Sequence, residues 1–214
     1  MRTIMTLNAK GGCGKSTLAT NLASHYAVEG KRVALVDFDP QASSMEWLAA
    51  RSADRPEIVG IDASQGGLRL PRNLDVAILD APARVHSAEL TGFVRRAETL
   101  IIPVLPSPMD IRAAAHFIKE LLTVGKVSRK QTRLAVVANR VREHTLIYQT
   151  LEAFLDSLKI PFVATLRDTQ NYIRAADRGL GIFELAPSLV WQDLEQWEPL
   201  LEWLNSRRSR PVRS

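Results

Sequence analysis

The run Ala9-Lys10-Gly11-Gly12-Cys13-Gly14-Lys15-Ser16-Thr17 restricts the fold of this 214-residue chain more than any other feature. It follows a strand-like pentad, Thr3-Ile4-Met5-Thr6-Leu7, and leads into a stretch with Leu18, Leu22 and Tyr26 at helical spacing. Three glycines let the backbone turn so that successive N–H groups face inward. Those donors, with the positive end of the following helix, suit phosphate oxygens. Lys15 is placed to meet β- and γ-phosphates, and the Ser16 hydroxyl to meet Mg²⁺. Gly11, Gly12, Cys13, Gly14 and Thr17 complete the nucleotide-binding loop. Cys13 reads as a small residue with no chemistry of its own. The local demand is a strand–loop–helix unit that takes Mg-ATP.

The rest of the chain repeats the strand–helix alternation. Arg32-Val33-Ala34-Leu35-Val36, Asp75-Val76-Ala77-Ile78-Leu79, Thr99-Leu100-Ile101-Ile102-Pro103-Val104 and Leu134-Ala135-Val136-Val137-Ala138 read as buried strands. A weaker strand is expected at 57–61 and a short last one at 162–164. Helices are expected at 16–29, 42–51, 110–123, 146–157 and 189–205, and 62–73 reads as loop. Continuous apolar strands separated by helices predict a mainly parallel sheet with helices on both faces. One domain over 1–205 accounts for the pattern. A basic tail, expected to be mobile, covers 206–214 and holds Arg207, Arg208, Arg210 and Arg213 with no acid.

In an open parallel sheet, ligands sit beyond the C-terminal strand ends. Two strands end there in acid and proline: Asp37-Phe38-Asp39-Pro40-Gln41 and Asp80-Ala81-Pro82. Asp39 and Asp80 are therefore candidate metal ligands with Ser16, and each could instead cap a following helix. Asn139-Arg140 ends another strand, and a side-chain amide can read an adenine edge or simply sit in a turn. Asp110 reads as the cap of the next helix.

The Lys-Gly-Gly-Cys-Gly-Lys-Ser-Thr run, with Ala9 and Lys10 where a glycine-led loop is usual, resembles the deviant Walker A box of the ParA/MinD ATPases, a SIMIBI-type P-loop NTPase family. The two acid–proline boxes and Pro103–Asp110 are similar to the same family, and the likeness covers nearly the whole chain. The resemblance implies that Lys10 reaches the partner's nucleotide in an ATP-dependent homodimer. It implies that Asp80 holds Mg²⁺ through water, that Asp39 orients the attacking water with Asp37 in support, and that Asn139 and Arg140 flank the base. It further implies slow ATP hydrolysis, nonspecific binding to nucleoid DNA, and stimulation by a ParB-like or other cargo-linked activator. A cytoplasmic, nucleoid-associated protein that segregates a plasmid, a chromosome region or a protein body such as a carboxysome is the expectation.

Tyr172 to Gly179 is similar to a family stretch before the last helix. Arg174 and Arg178, four apart, share one helix face on this reading. They suit DNA phosphates or, equally, a solvated face with ion pairs such as one to Asp177. Net charge is +5, compatible with an anionic partner. The last helix places Leu194, Trp197, Leu201 and Leu204 on one side, which suits core packing. Its polar face holds Asp193, Glu195, Glu198 and Glu202, against the basic face a membrane-binding helix needs. A membrane-associated MinD-like ATPase is the alternative and a metabolic P-loop enzyme a more distant one. The single cysteine excludes an intrachain disulfide and argues against a shared metal cluster. No apolar run approaches the ~20 residues of a membrane span.

Overall fold

The computed structural model describes residues 1–83, 85, 87–123, 132–142, 146–157 and 160–211. In chain order the elements are β1 (Arg2–Thr6), α1 (Lys15–Val28), β2 (Val33–Asp37), α2 (Ser43–Ala49), β3 (Ile58–Asp62), β4 (Val76–Asp80), α3 (Ser87–Arg95), β5 (Thr99–Val104), α4 (Pro108–Thr123), β6 (Arg133–Val141), α5 (Leu146–Ser157), β7 (Phe162–Arg167), α6 (Gln170–Ala176) and α7 (Pro187–Asn205). Single 3₁₀ turns lie at Ile182–Glu184 and Arg207–Ser209. The strands form one sheet in the order β3-β2-β4-β1-β5-β6-β7. Every pairing is parallel.

Side-chain alternation along the strands divides the core. Ile4, Leu35, Ile78 and Ile101 face α1 and α7. Met5, Val36, Leu79 and Leu100 face α3 and α4 on the other side. Both faces are covered, which is why the central strands read as unbroken apolar runs. The register then aligns the strand ends. Thr6 and Asp37 both pair with Asp80, so the glycine loop and the two acid–proline boxes emerge side by side.

The structure departs from the sequence expectation in several places. α2 is shorter than 42–51: it starts after Ala42, at φ 53°, and Asp37 receives the Ser44 and Met45 N–H groups. β3 is displaced by one residue from 57–61. β6 runs past Asn139 to Val141, with a register shift between Ala138 and Val141 and Arg140 at φ 52°. α3 lies in a stretch without a clear sequence signal. α7 buries Val190, Asp193, Trp197, Leu200, Trp203 and Leu204, while Leu194 and Leu201 are only partly covered. The face turns because Arg167 and Asn171 draw the Asp193 carboxylate inward, at 2.6 and 2.8 Å.

The start of the tail packs against the sheet as far as Arg210. Ser209 is fully buried. Its carbonyl accepts from Thr99 Oγ1 at 2.6 Å, and its hydroxyl accepts from Arg2 Nη2 at 2.8 Å. Arg133 Nε donates to the Arg210 carbonyl at 3.0 Å. Residues 212–214, including Arg213, lie outside the described residues.

A buried ion pair closes the α1 side. Arg51 and Glu184 approach to 2.8 Å with side chains 5% and 2% exposed. Glu184 also accepts from Ser24 Oγ and the Gly181 N–H, and Arg51 donates to the Gly179 and Pro56 carbonyls. Gly179, at φ 62°, cannot carry a side chain, because a Cβ would lie 2.3 Å from the Arg51 nitrogen. Removing one partner strands a buried charge. Glu184→Ala is therefore expected to lower stability by roughly 3–5 kcal/mol, and the double change Arg51→Met with Glu184→Leu to recover most of that. Urea midpoints of the three proteins measure it; a loss under 1 kcal/mol for the single variant would show the network to be dispensable.

Candidate functional site

β1 delivers the chain to the glycine loop in the centre of the sheet. Gly12 and Gly14 adopt φ of 75° and 96°, a region that favours glycine. Gly14 stands at the N-terminus of α1 with no side-chain cap, so the first helical N–H groups face the loop. Lys15 is only 6% exposed, and its ammonium donates to the Lys10 carbonyl at 3.3 Å. The Cys13 thiol donates to the same carbonyl at 3.2 Å. Burial holds that thiol above its ordinary range, which favours an inert, protonated sulfur.

Two asparagines brace the loop. Asn8 donates to the Pro103 carbonyl at 2.7 Å and accepts the Lys10 N–H at 3.1 Å. Asn139 donates to the Cys13 carbonyl at 2.8 Å. Asn8 was missed in the sequence, although its place between strand and loop was a usable signal. Asn139 also lines a cavity of about 390 Å³ with Ser16, Thr17, Arg140, Asp168 and Tyr172. That volume lies beside the phosphate loop, where a base and ribose would extend.

The carboxylates divide their work by position. Asp37 is buried and accepts the N–H groups of Asp39, Ser44 and Met45 at 2.9, 2.9 and 3.3 Å. It fastens the start of α2. Asp80, 1% exposed, accepts from Ser44 Oγ at 2.7 Å and Thr6 Oγ1 at 3.3 Å, and it lies within hydrogen-bonding reach of Ser16. Asp39 is half-buried and bridges two loops, accepting the Gln41 N–H at 3.0 Å and the Ala83 N–H at 3.1 Å. Neither Asp39 nor Asp80 is spent on a helix cap.

Lys10 is 40% exposed, and its ammonium lies 2.6 Å from the Asp110 carboxylate. Asp110 lies inside the first turn of α4, and Ser107, ahead of the helix, takes the capping position expected of it. Ser107 accepts the Asp110 N–H and donates back to its carboxylate, leaving Asp110 in the first turn of α4 facing Lys10. Arg174 and Arg178 are exposed and well away from the phosphate loop in sequence, at the end of α6. They do not share a helix face, since α6 stops at Ala176 and Arg178 stands in the turn before Gly179.

These residues fit a magnesium nucleotide. Inward N–H groups and buried Lys15 suit phosphates, while Ser16 beside a nearly inaccessible Asp80 suits a hard divalent cation. Among the described residues no helix is long and apolar enough to cross a membrane.

Residues 4–182 match the family model of the CobQ/CobB/MinD/ParA nucleotide binding domain. The chain is 28% identical over 190 residues to the Maintenance of carboxysome distribution protein A of Halothiobacillus neapolitanus, covering 86% of this chain and 87% of that protein. It is 30% identical over 191 residues to the protein of the same name from Gloeobacter kilaueensis, covering 86% and 84%. Apo McdA from Cyanothece superposes with a TM-score of 0.75 at 18% identity, over 96% of this chain and 100% of that one.

The Asp80 carboxyl is held up at about 6, chiefly by burial, against the lowering effect of the nearby Ser16 and Ser44 hydroxyls. A folded value above the ordinary 3.8 means that the linked stability is complete below that value and is lost as pH rises through about 6. That rise corresponds to about 3 kcal/mol. Asp80→Asn is thus expected to stabilise the metal-free protein by roughly 2–3 kcal/mol at about pH 8 and by little at about pH 4. Urea unfolding in a chelator at both pH values tests this, and an equal effect at both would rule out the buried charge as its cause.

Proposed function

The chain belongs to the CobQ/CobB/MinD/ParA nucleotide-binding family, and from that membership we propose that it is a ParA-type positioning ATPase that moves a cargo over nucleoid DNA. The single observation that carries the reading is the pairing of two lysines of opposite exposure on one loop. Lys15 is sealed inside the loop, and Lys10 stands on its outer side. A single ATPase active site needs the first; the second is free of the enclosed space and suits a phosphate presented by another subunit.

On this reading Lys15, Gly11 to Gly14 and the start of α1 bind the phosphates of ATP. Ser16 and Asp80 hold Mg²⁺, which supplies charge neutralisation at the β- and γ-oxygens when bound. Asp39 orients the attacking water, and its two backbone N–H partners fix the direction of its carboxylate. Asn139, once its donation to Cys13 is counted, still lines the adjoining cavity with Arg140, where the adenine would lie. Two chains closing over ATP bring each Lys10 to the partner's nucleotide. The dimer doubles the basic surface, including Arg174 and Arg178, so affinity for duplex DNA rises on ATP binding and falls with salt.

A cargo-bound, ParB-like activator would speed a slow basal turnover and release the protein from DNA. The carboxysome-distribution relatives make a protein body one candidate cargo beside plasmids and chromosome regions. Trp197, Leu200 and Leu204 are fully buried, which weighs against use of α7 as a membrane-binding helix. A cytoplasmic, nucleoid-associated location follows from the DNA-binding reading.

The direct test is duplex DNA binding with ATP, with ADP and without nucleotide, in wild type and Lys10→Ala. Strong binding only with ATP, lost in the variant, is expected; ATP binding without any DNA binding would refute the positioning role. Asp39→Ala is expected to retain ATP and the dimer while turnover falls on the order of 100-fold. Phosphate release beside nucleotide affinity measures it, and unchanged turnover would take Asp39 out of the mechanism.

A further inference from the structure

The opposite end of the sheet carries charge that the nucleotide site does not use. β1 begins there at Arg2, which is 8% exposed. Its Nη2 donates to Ser209 Oγ at 2.8 Å and Thr99 Oγ1 at 3.3 Å. Its Nε and Nη1 are enclosed and find no partner among the described residues. An enclosed cation with unmet N–H groups is costly unless a counter-charge lies close by. Burial lowers the pKa of this guanidinium; Tyr26 and Glu98 oppose that effect, and Arg210 adds to it.

A cavity of about 580 Å³ opens beside Arg2, lined by Arg207, Arg210, Asp75 and Glu98. Asp75 is already taken: Arg32 grips it through Nε at 3.1 Å and Nη2 at 2.9 Å, and donates its backbone N–H as well. Glu98 offsets one charge of the three lining guanidiniums. Arg207 and Arg210 are exposed, and neither forms an ion pair among the described residues. Arg207 opens the 3₁₀ turn and Arg210 follows it in extended backbone, and both line the same cavity. The turn itself is fixed by Ser209, which is held by Arg2 and Thr99 and donates to the Leu204 carbonyl at 2.8 Å.

We propose that this cavity is a phosphate-binding site, in which Arg207 and Arg210 grip phosphate oxygens at the rim and Arg2 supplies fixed positive charge beneath. Planar guanidinium forks match tetrahedral phosphate oxygens by paired N–H donation, and an excess of cations favours a multiply charged oxyanion over a carboxylate. The phosphate comes either from a free ion or from a nucleic-acid backbone. The site lies across the sheet from the nucleotide loop and stands whether or not the ATPase reading holds.

Inorganic phosphate is the probe, added to the full chain with saturating Mg-ADP so that the glycine loop is filled. Chloride at matched ionic strength is the control. Phosphate at several times its dissociation constant is expected to raise the melting temperature of the wild type by roughly 2–4 °C. Arg207→Ala with Arg210→Ala, both at exposed positions, is expected to lose the shift. Arg2→Met, a change of similar volume that removes the buried charge, is expected to fold and to lose at least half of it. A second arm measures anisotropy of a labelled duplex with ATP against salt. A drop of about 2 in the salt slope for the double variant assigns the phosphate to a nucleic-acid backbone. An unchanged slope beside a lost phosphate shift assigns it to the free ion. A phosphate shift that is equal in wild type and double variant, or absent from both, overturns the proposal.

Discussion

Asn139 reaches from β6 to the Cys13 carbonyl, and a side chain on Gly14 would begin 2.1 Å from the same amide nitrogen. That approach governs the rest of the site. It requires glycine at position 14 twice over, once for space and once for φ 96°. With no side chain there, α1 begins without a cap, and its leading N–H groups remain available to a ligand. Asn8 holds the other limb of the loop against β5. The loop is thus suspended between β5 and β6, so its curvature is set by the sheet and not by its own short sequence. Lys15 can be buried only because that curvature brings the Lys10 carbonyl to its ammonium.

The parallel sheet was legible from sequence because both faces are covered and the strands carry uninterrupted apolar runs. The strand-end carboxylates were legible because a parallel register must bring all C-terminal ends to one edge. What escaped were interactions between residues far apart in the chain. Arg51 and Glu184 are 133 positions apart, and nothing local marks either as buried. Arg2 and Ser209, 207 apart, turn an apparently solvated arginine-rich tail into a packed turn. The face of α7 was misjudged for the same reason. Asp193 belongs to the polar stripe by periodicity, yet Arg167 on β7 pulls it inside. Periodicity reports the average environment of a helix face and cannot anticipate one buried partner.

Charge is arranged differently at the two ends of the sheet. At the strand C-termini Asp37 and Asp80 lie buried among N–H and O–H donors, and burial raises both carboxyls. Asp37 spends its oxygens on three backbone N–H groups, so it is structurally satisfied. Asp80 receives only hydroxyls, which leaves it the stronger claim on a divalent cation. At the strand N-termini the buried group is a cation, Arg2, with Arg207, Arg210, Asp75 and Glu98 around the cavity beside it. Each end therefore carries a charge that the protein alone does not neutralise.

Lys10 belongs to neither buried set. Its ion pair with Asp110 is short and unevenly exposed, with the ammonium 40% and the Asp110 side chain 10% open to solvent. Its loss would leave the enclosed Asp110 Oδ1 without a partner, although Oδ2 would keep its own. Asp110 sits in the first turn of α4, where the helix dipole favours a carboxylate, and Ser107 donates to it independently. Exchange of this contact for a phosphate on a second subunit, as the proposed dimer requires, would therefore uncover one oxygen of a buried carboxylate, a cost that the helix dipole offsets in part. The same exchange at Lys15 would empty the loop interior of a charge held at 6% exposure. The proposed division of roles between the two lysines follows this difference in setting, one enclosed and one half-exposed beside Asp110.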